Sequence, residues 1–309
     1  GAYVADLDCP DALHAVIVRS PYAHALILAI DVAAAMAEPG MVTVLTARDL
    51  PNTVKPIPGG SRPGLEIKPG GEHPVLAQER ALYVGQPVAI VVAETLAQAA
   101  DAAVVVKIDY EPLEAVSDLE DAAQDINPPL HPSMGSNVGA YAHVLGGDVE
   151  GAFRSCDRVV SGSFTLPRIS PMPMECRGVL ASYDPASNEL TFRSSNQSPH
   201  GMKEHLDEVL DIPADIRVLT PDIGGGFGQK HNLYAEDVAL AYLAYKLQKP
   251  VRWIETRGEN IHALHARGVK AHLDVAVDGT GHILGIKGRF IADLGAFWVS
   301  GTFTSPDNT

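Results

Sequence analysis

The chain has 309 residues, 46% hydrophobic and 20% charged, a globular composition with enough apolar surface for two domains. Its 38 acidic against 23 basic residues give a net charge of −15, which excludes a duplex nucleic-acid binder and docking on an anionic membrane surface, because both need cationic side chains. No apolar run approaches the ~18 residues of a membrane-spanning helix, and three scattered cysteines (Cys9, Cys156, Cys176) cannot build a disulfide framework or a four-cysteine cluster, which fits a reducing compartment.

In chain order, His14–Ser20 and Ala25–Ile30 read as apolar strands, Val32–Glu38 as a short Ala-rich helix stopped by Pro39-Gly40, and Met41–Leu45 as a strand. Residues 51–74 hold six Pro and five Gly in 24 positions, too many breakers for anything but a long loop. Pro87–Glu94 has the continuous β-branched pattern of a buried strand. Thr95 can cap a helix over Leu96–Ala103, and Val104–Tyr110 completes a small βαβ-like unit. Residues 117–147, acidic and then rich in Pro and Gly, form the expected domain boundary.

Beyond it, Val159–Leu166 alternates as a strand. Val179–Tyr183 and Glu189–Ser194 flank the turn Asp184–Asn188 as a hairpin. Gly201–Leu210 is an amphipathic helix and Ile216–Leu219 a strand. A helix over Leu233–Leu247 carries Glu236 and Asp237 near its start and Lys246 near its end, as the macrodipole favours. Pro250–Glu255 is a strand, and Ala271–Val277 with His282–Ala292 forms a last hairpin. The pattern defines an α+β fold. The chain opens on Gly1 rather than Met and stops in polar sequence, so both ends are expected to be cut, and a missing leader then says nothing.

The richest chemical signal is Gly224-Gly225-Gly226-Phe227-Gly228. Glycines there free the backbone and bare a row of N–H groups, to which the start of the following helix adds donors. Such a row can cradle an anion or an oxo group, and it can equally be a tight strand–helix turn without a ligand. The Walker and dinucleotide patterns both fail, because Gln229-Lys230-His231 stands where they need other residues. Gln197, between a strand and a helix, is either a turn residue or a neutral donor to an oxo or carbonyl oxygen. Glu175 is either a base or, better, the anionic half of an ion pair with Arg177 or another cation. Cys176 reads as a buried inert thiol rather than a thiolate. Of the histidines His200, His205, His231, His262 and His265, only His262 and His265 are spaced to share a helix face, and a zinc site would need a third ligand.

Three stretches then carry a resemblance over essentially the whole chain: YVGQPVAIVVAETLAQAADAAVVVKIDYEPLEA (residues 83–115), MECRGVLASYD with SSNQSPH (within residues 174–200), and PDIGGGFGQK with PVRWIETRGEN after it. In order and spacing they resemble the molybdenum-binding large subunit of the xanthine dehydrogenase and aldehyde oxidase family, in particular the bacterial aerobic carbon-monoxide-dehydrogenase type. The resemblance implies an a/b hammerhead domain over residues 1–120, a linker over 121–147, and the first part of a mixed α+β molybdopterin-binding domain over 148–309.

It also implies hydroxylation of an aldehyde, an N-heterocycle or a similar carbon, or oxidation of CO, with water as the oxygen source. The cofactor would be molybdenum–molybdopterin, in the cytosine dinucleotide form. Residue by residue, Gln197 matches the glutamine that hydrogen-bonds the apical oxo ligand, and Gly226, Phe227 and Gly228 match the loop whose N–H groups approach the metal. No direct protein ligand to molybdenum is implied. The chain lacks cysteines for the [2Fe–2S] clusters, so these and FAD belong on a small iron–sulfur and a medium flavin subunit, in a cytoplasmic dimer of heterotrimers. His231 stands where purine-oxidising members carry a substrate-binding carboxylate, which makes xanthine a poor substrate. The general-base glutamate and most pterin-nucleotide contacts are expected beyond Thr309. The alternatives are a non-catalytic half of a split subunit, a degenerate assembly paralogue, or a nucleotide-binding protein using the glycine loop.

Overall fold

The run Pro87–Ala93 is buried at every position because both of its faces are covered. A computed structural model describes residues 1–59, 66–263 and 266–297. The strands are β1 Leu13–Arg19, β2 Ala25–Asp31, β3 Met41–Thr46, β4 Glu66–Ile67, β5 Arg80–Ala81, β6 Pro87–Ala93, β7 Lys107–Pro112, β8 Ala140–Tyr141, β9 Arg158–Ile169, β10 Gly178–Asp184, β11 Glu189–Ser194, β12 Asp215–Leu219, β13 Val251–Ile254, β14 Ala266–Val277 and β15 Ile283–Ala292. The helices are α1 Ala33–Met36, α2 Leu96–Val104, α3 Leu119–Ala123, α4 Val149–Ser155, α5 Pro199–Val209, α6 Ala235–Leu247 and α7 Arg257–Ala263. The fold is α+β, as the sequence pattern implies.

The chain groups into two interleaved units, one of residues 1–59, 72–115 and 170–264, the other of residues 60–71, 116–169 and 265–309. The first is built on a mixed seven-stranded sheet in the order β12-β11-β10-β13-β1-β6-β3. Its centre joins distant sequence: β1 runs parallel to β13, with Leu13 opposite Val251, and antiparallel to β6. Along β6, Ile90 and Val92 enter a core with Phe192, Leu206 and Leu240, whereas Ala89, Val91 and Ala93 enter a second cluster with Ala99 and Ala102 of α2. Thr95 caps α2 by accepting from the Gln98 N–H.

The βαβ-like unit expected over residues 87–110 does not form within one sheet. Helix α2 continues to Val104, and β7 pairs with β2 in a separate three-stranded sheet, whereas β6 lies in the seven-stranded one. The reason is composition: β7 alternates charged residues (Lys107, Asp109, Glu111) with Ile108 and Tyr110, so one of its faces must stay in water and it cannot sit beside a strand buried on both faces. The 51–74 loop also contains one short strand, β4.

The second unit carries the antiparallel sheet β15-β14-β9. One face is charged and meets α3 and α4, through Lys270 to Asp118, His272 and Arg289 to Glu120, and Lys287 to Glu150. The strand registers put Val160, Val275 and Ile286 in one row of the other face, and Phe164, Ala271 and Phe290 in another, so that face is apolar. Among the described residues, no helix is long and apolar enough to cross a membrane.

Candidate cofactor-binding site

The site forms where β11 and β12, parallel neighbours, deliver their C-terminal ends to one edge of the seven-stranded sheet. Strand β11 runs through Ser195 and Asn196 into Gln197, and α5 starts two residues later. Strand β12 runs into Gly224–Gly228. Gln197 is locked to Lys230 twice: its backbone N–H donates to the Lys230 carbonyl at 2.8 Å, and its Oε1 accepts from the Lys230 N–H at 3.1 Å. That second bond fixes which end of the amide is which. The NH2 end donates to nothing among the described residues, and the side chain is exposed.

The loop needs its glycines for two reasons. Gly225 and Gly228 have φ of +93° and +83°, the left-handed side that favours glycine. A Cβ on Gly226 would lie 2.3 Å from the Gln197 amide carbon, so that position must stay bare for the amide to sit where it does. Phe227 adopts φ +51° and is 74% exposed, a costly combination for a bulky residue and one that clusters at functional sites. The N–H groups of Gly225, Gly226, Phe227 and Gly228 donate to no group among the described residues. A row of unspent donors beside an exposed amide donor suits an oxygen-rich group and fits a molybdenum–pterin centre.

One expectation is corrected. The helix start does not add its donors to the row. A 3-10 turn over Gln229–His231 separates the loop from α6, and the Tyr234 N–H is satisfied by Asp237 at 2.9 Å. Glu236 and Asp237 do stand in the first turn of α6, as expected, and both are buried. Glu236 receives Arg19 at 2.7 Å and Arg177 at 3.2 Å, and burial pushes the Asp237 carboxyl up to about 7.

Below the loop lies a buried polar scaffold that the sequence did not disclose. Arg177 reaches Glu255 at 2.6 Å and stacks over Tyr234, its guanidinium 3.9 Å from the ring centre. Asn260 donates to Glu255 and to Gln229, each at 2.7 Å. The Tyr234 hydroxyl donates to the Gln229 carbonyl. The available signal was α6 itself: Val238–Ala244 is apolar on every side of the helix, which leaves its first turn, carboxylates included, no solvent face.

Glu175 does form an ion pair, and its cation is Lys230 at 2.7 Å rather than Arg177. Burial opposes ionisation of Glu175, but hydrogen bonds from Lys230, Ser195 and Gly224 outweigh it and hold the carboxyl below the usual carboxylate range. Burial lowers the Lys230 ammonium, partly offset by Glu175. Burial likewise pushes the half-buried Cys176 thiol up, which keeps it protonated and inert. His200, His231 and His262 are exposed, and His265 lies outside the described residues. Among the described residues, no group of three or more His, Cys, Asp or Glu side chains could hold a metal ion.

The sheet edge thus presents an unspent N–H row beside a fixed amide. Residues 1–114 match the a/b hammerhead domain of aldehyde oxidase and xanthine dehydrogenase, and residues 130–307 match the molybdopterin cofactor-binding domain. The chain is similar to the nicotine 6-hydroxylase large subunit of Paenarthrobacter nicotinovorans (36% identity, covering 96% of this chain and 36% of the relative). It is also similar to the carbon monoxide dehydrogenase large chain of Hydrogenophaga pseudoflava (36% identity, covering 96% and 38%). The crystal structure of quinoline 2-oxidoreductase from Pseudomonas putida 86 superposes with a TM-score of 0.82 at 33% identity, covering 94% of this chain and 37% of that one. The chain therefore belongs to the molybdenum-binding large-subunit family of xanthine dehydrogenases and aldehyde oxidases. It spans under two-fifths of the length of these relatives.

Proposed function

We propose that this chain is part of a molybdenum hydroxylase large subunit, an oxidoreductase that hydroxylates an electron-poor carbon with water as the oxygen source or oxidises CO. The observation that carries the reading is the pairing of an exposed amide donor, fixed by the Lys230 N–H, with four adjacent unspent loop N–H groups. When bound, molybdenum–molybdopterin supplies the two-electron oxidation. The residues of this chain bind and orient. The Gln197 amide would donate to an oxygen of the cofactor without adding charge. The N–H groups of Gly226, Phe227 and Gly228 would help hold the same group, and the missing Cβ at Gly226 leaves the amide its place. The exposed Phe227 ring gives the site an apolar wall against which a flat substrate can lie.

On this reading the subunit divides into a hammerhead domain over 1–120, a linker over 121–147 and the first part of the cofactor domain from 148. The cofactor is the cytosine dinucleotide form. Electrons leave through [2Fe–2S] clusters and FAD on a small and a medium subunit, in a cytoplasmic dimer of heterotrimers. The general base is a glutamate that follows Thr309 in the whole subunit. Two of the relatives named above are called after N-heterocycles, nicotine and quinoline, so that class heads the substrate panel. The test is to purify the full-length subunit with its partners, measure molybdenum per polypeptide, and assay N-heterocycles, aldehydes and CO in 18O-labelled water. Stoichiometric molybdenum with label in the product is the expected outcome. A complex without molybdenum, its Gln197 and glycine loop intact, would refute the reading.

A further inference from the structure

The Gln197 segment and the glycine loop are distant in sequence, yet the site needs them held at a fixed separation. We propose that Glu175 is the positioning residue that sets this separation: one carboxylate oxygen gathers the entry of the loop, its exit and the strand end that bears Gln197. The inference rests on the reading of the loop as a cofactor contact.

The geometry is a hub. Glu175 Oε2 accepts from the Gly224 N–H at the loop entry (2.8 Å), from Lys230 Nζ at its exit (2.7 Å), and from the Ser195 hydroxyl two residues before Gln197 (2.6 Å). The Glu175 N–H donates back to the Gly224 carbonyl at 3.1 Å, so the entry is held from both sides. Lys230 closes the circle through its two bonds to Gln197. The loop backbone comes so close that a Cβ on Gly224 would stand 2.5 Å from the Glu175 Cβ.

The Lys230 ammonium side chain has no solvent exposure. A buried ammonium without a counter-charge is expensive, so the lysine can stay in place only while the carboxylate does. Lys230 is also the residue whose N–H orients the Gln197 amide. The charge pair therefore acts on the amide through the backbone of Lys230. A carboxyl that already holds three donors and sits below its usual pKa is a poor proton acceptor, so its contribution is positional.

The test uses the full chain in its assembled, purified complex, with hydrogen exchange read by mass spectrometry and the molybdenum EPR spectrum of the reduced complex. Glu175→Gln keeps size and an acceptor oxygen but removes the charge. Exchange at Gly224, Gln229 and Lys230, the loop amides that donate within the protein, should accelerate about tenfold while β6 stays at the wild-type rate, and the EPR spectrum should shift. The double variant Glu175→Gln/Lys230→Met removes the stranded charge. Its denaturation midpoint should return toward wild type while the loop remains fast. Loop exchange at the wild-type rate in Glu175→Gln would overturn the proposal, as would acceleration that the double variant cures together with stability. A wild-type complex lacking molybdenum would instead count against the proposed function, and the exchange comparison would still decide the role of Glu175.

Discussion

Replacing Gly226 by alanine separates site geometry from fold stability. The new Cβ would fall 2.3 Å from the Gln197 amide carbon and 2.4 Å from Oε1. Carbon–carbon contact needs ~3.5 Å, so the amide carbon must move by about 1.2 Å or more. The obstructing group is the end of a flexible side chain, so the fold accommodates it. The cost in stability is the hydrogen bond from the Lys230 N–H to Gln197, about 1 kcal/mol. The cost to the site is larger, because misplacing a positioning group by about 1 Å can slow a reaction ~10²-fold. Gly228→Ala is the control. Its Cβ meets nothing within 4 Å, but its φ of +83° costs a similar ~1–2 kcal/mol of strain. Urea midpoints, molybdenum content and initial rates of the assembled enzyme would be measured for both variants. The expected result is comparable loss of stability, with the rate collapsing in Gly226→Ala far more than in Gly228→Ala. Equal rates in the two variants, or a wild-type rate in Gly226→Ala, would refute the reasoning.

Gln197→Glu keeps the acceptor for the Lys230 N–H but removes the donor end, so stability should hold while turnover falls ~10²–10³-fold, as for loss of one preorganised donor; steady-state rates beside a melting curve check this. Glu236 gives a pH signature. Burial alone would raise its pKa, but Arg177 and Arg19 more than reverse that and hold it at about 2, below its unfolded value. Its contribution is therefore complete above pH ~4.5 and is lost as pH falls toward 2, an effect of up to about 3 kcal/mol. Glu236→Gln should accordingly be most damaging near neutral pH, and its deficit against wild type should shrink below pH ~4.5 in denaturant titrations. Leu240→Ala, at a fully buried position of α6, should cost ~2–5 kcal/mol in urea unfolding.

Much of the local structure was legible in the residues. Thr95 marks the start of α2, the apolar run at Pro87–Ala93 is a buried strand, and the glycines at 224–228 form an irregular loop with bare donors. Gln197 stands between a strand and a helix as its neighbours imply. These features depend on neighbours within a turn or a strand's length, where periodicity, capping and backbone freedom act directly. The partners of buried charges are of another kind. Glu175 takes Lys230, although Arg177 is nearer in sequence, because Arg177 is already committed to Glu255 and Glu236. A charge removed from water accepts whichever counter-charge the packing delivers, and spacing along the chain carries no record of that. The same holds for the sheet: Leu13 lies opposite Val251 because an apolar strand with two unpaired edges must find neighbours wherever the chain brings them. Residue type and local order thus supplied the pieces of the site, whereas long-range burial chose which carboxylate holds the loop and which strands carry it.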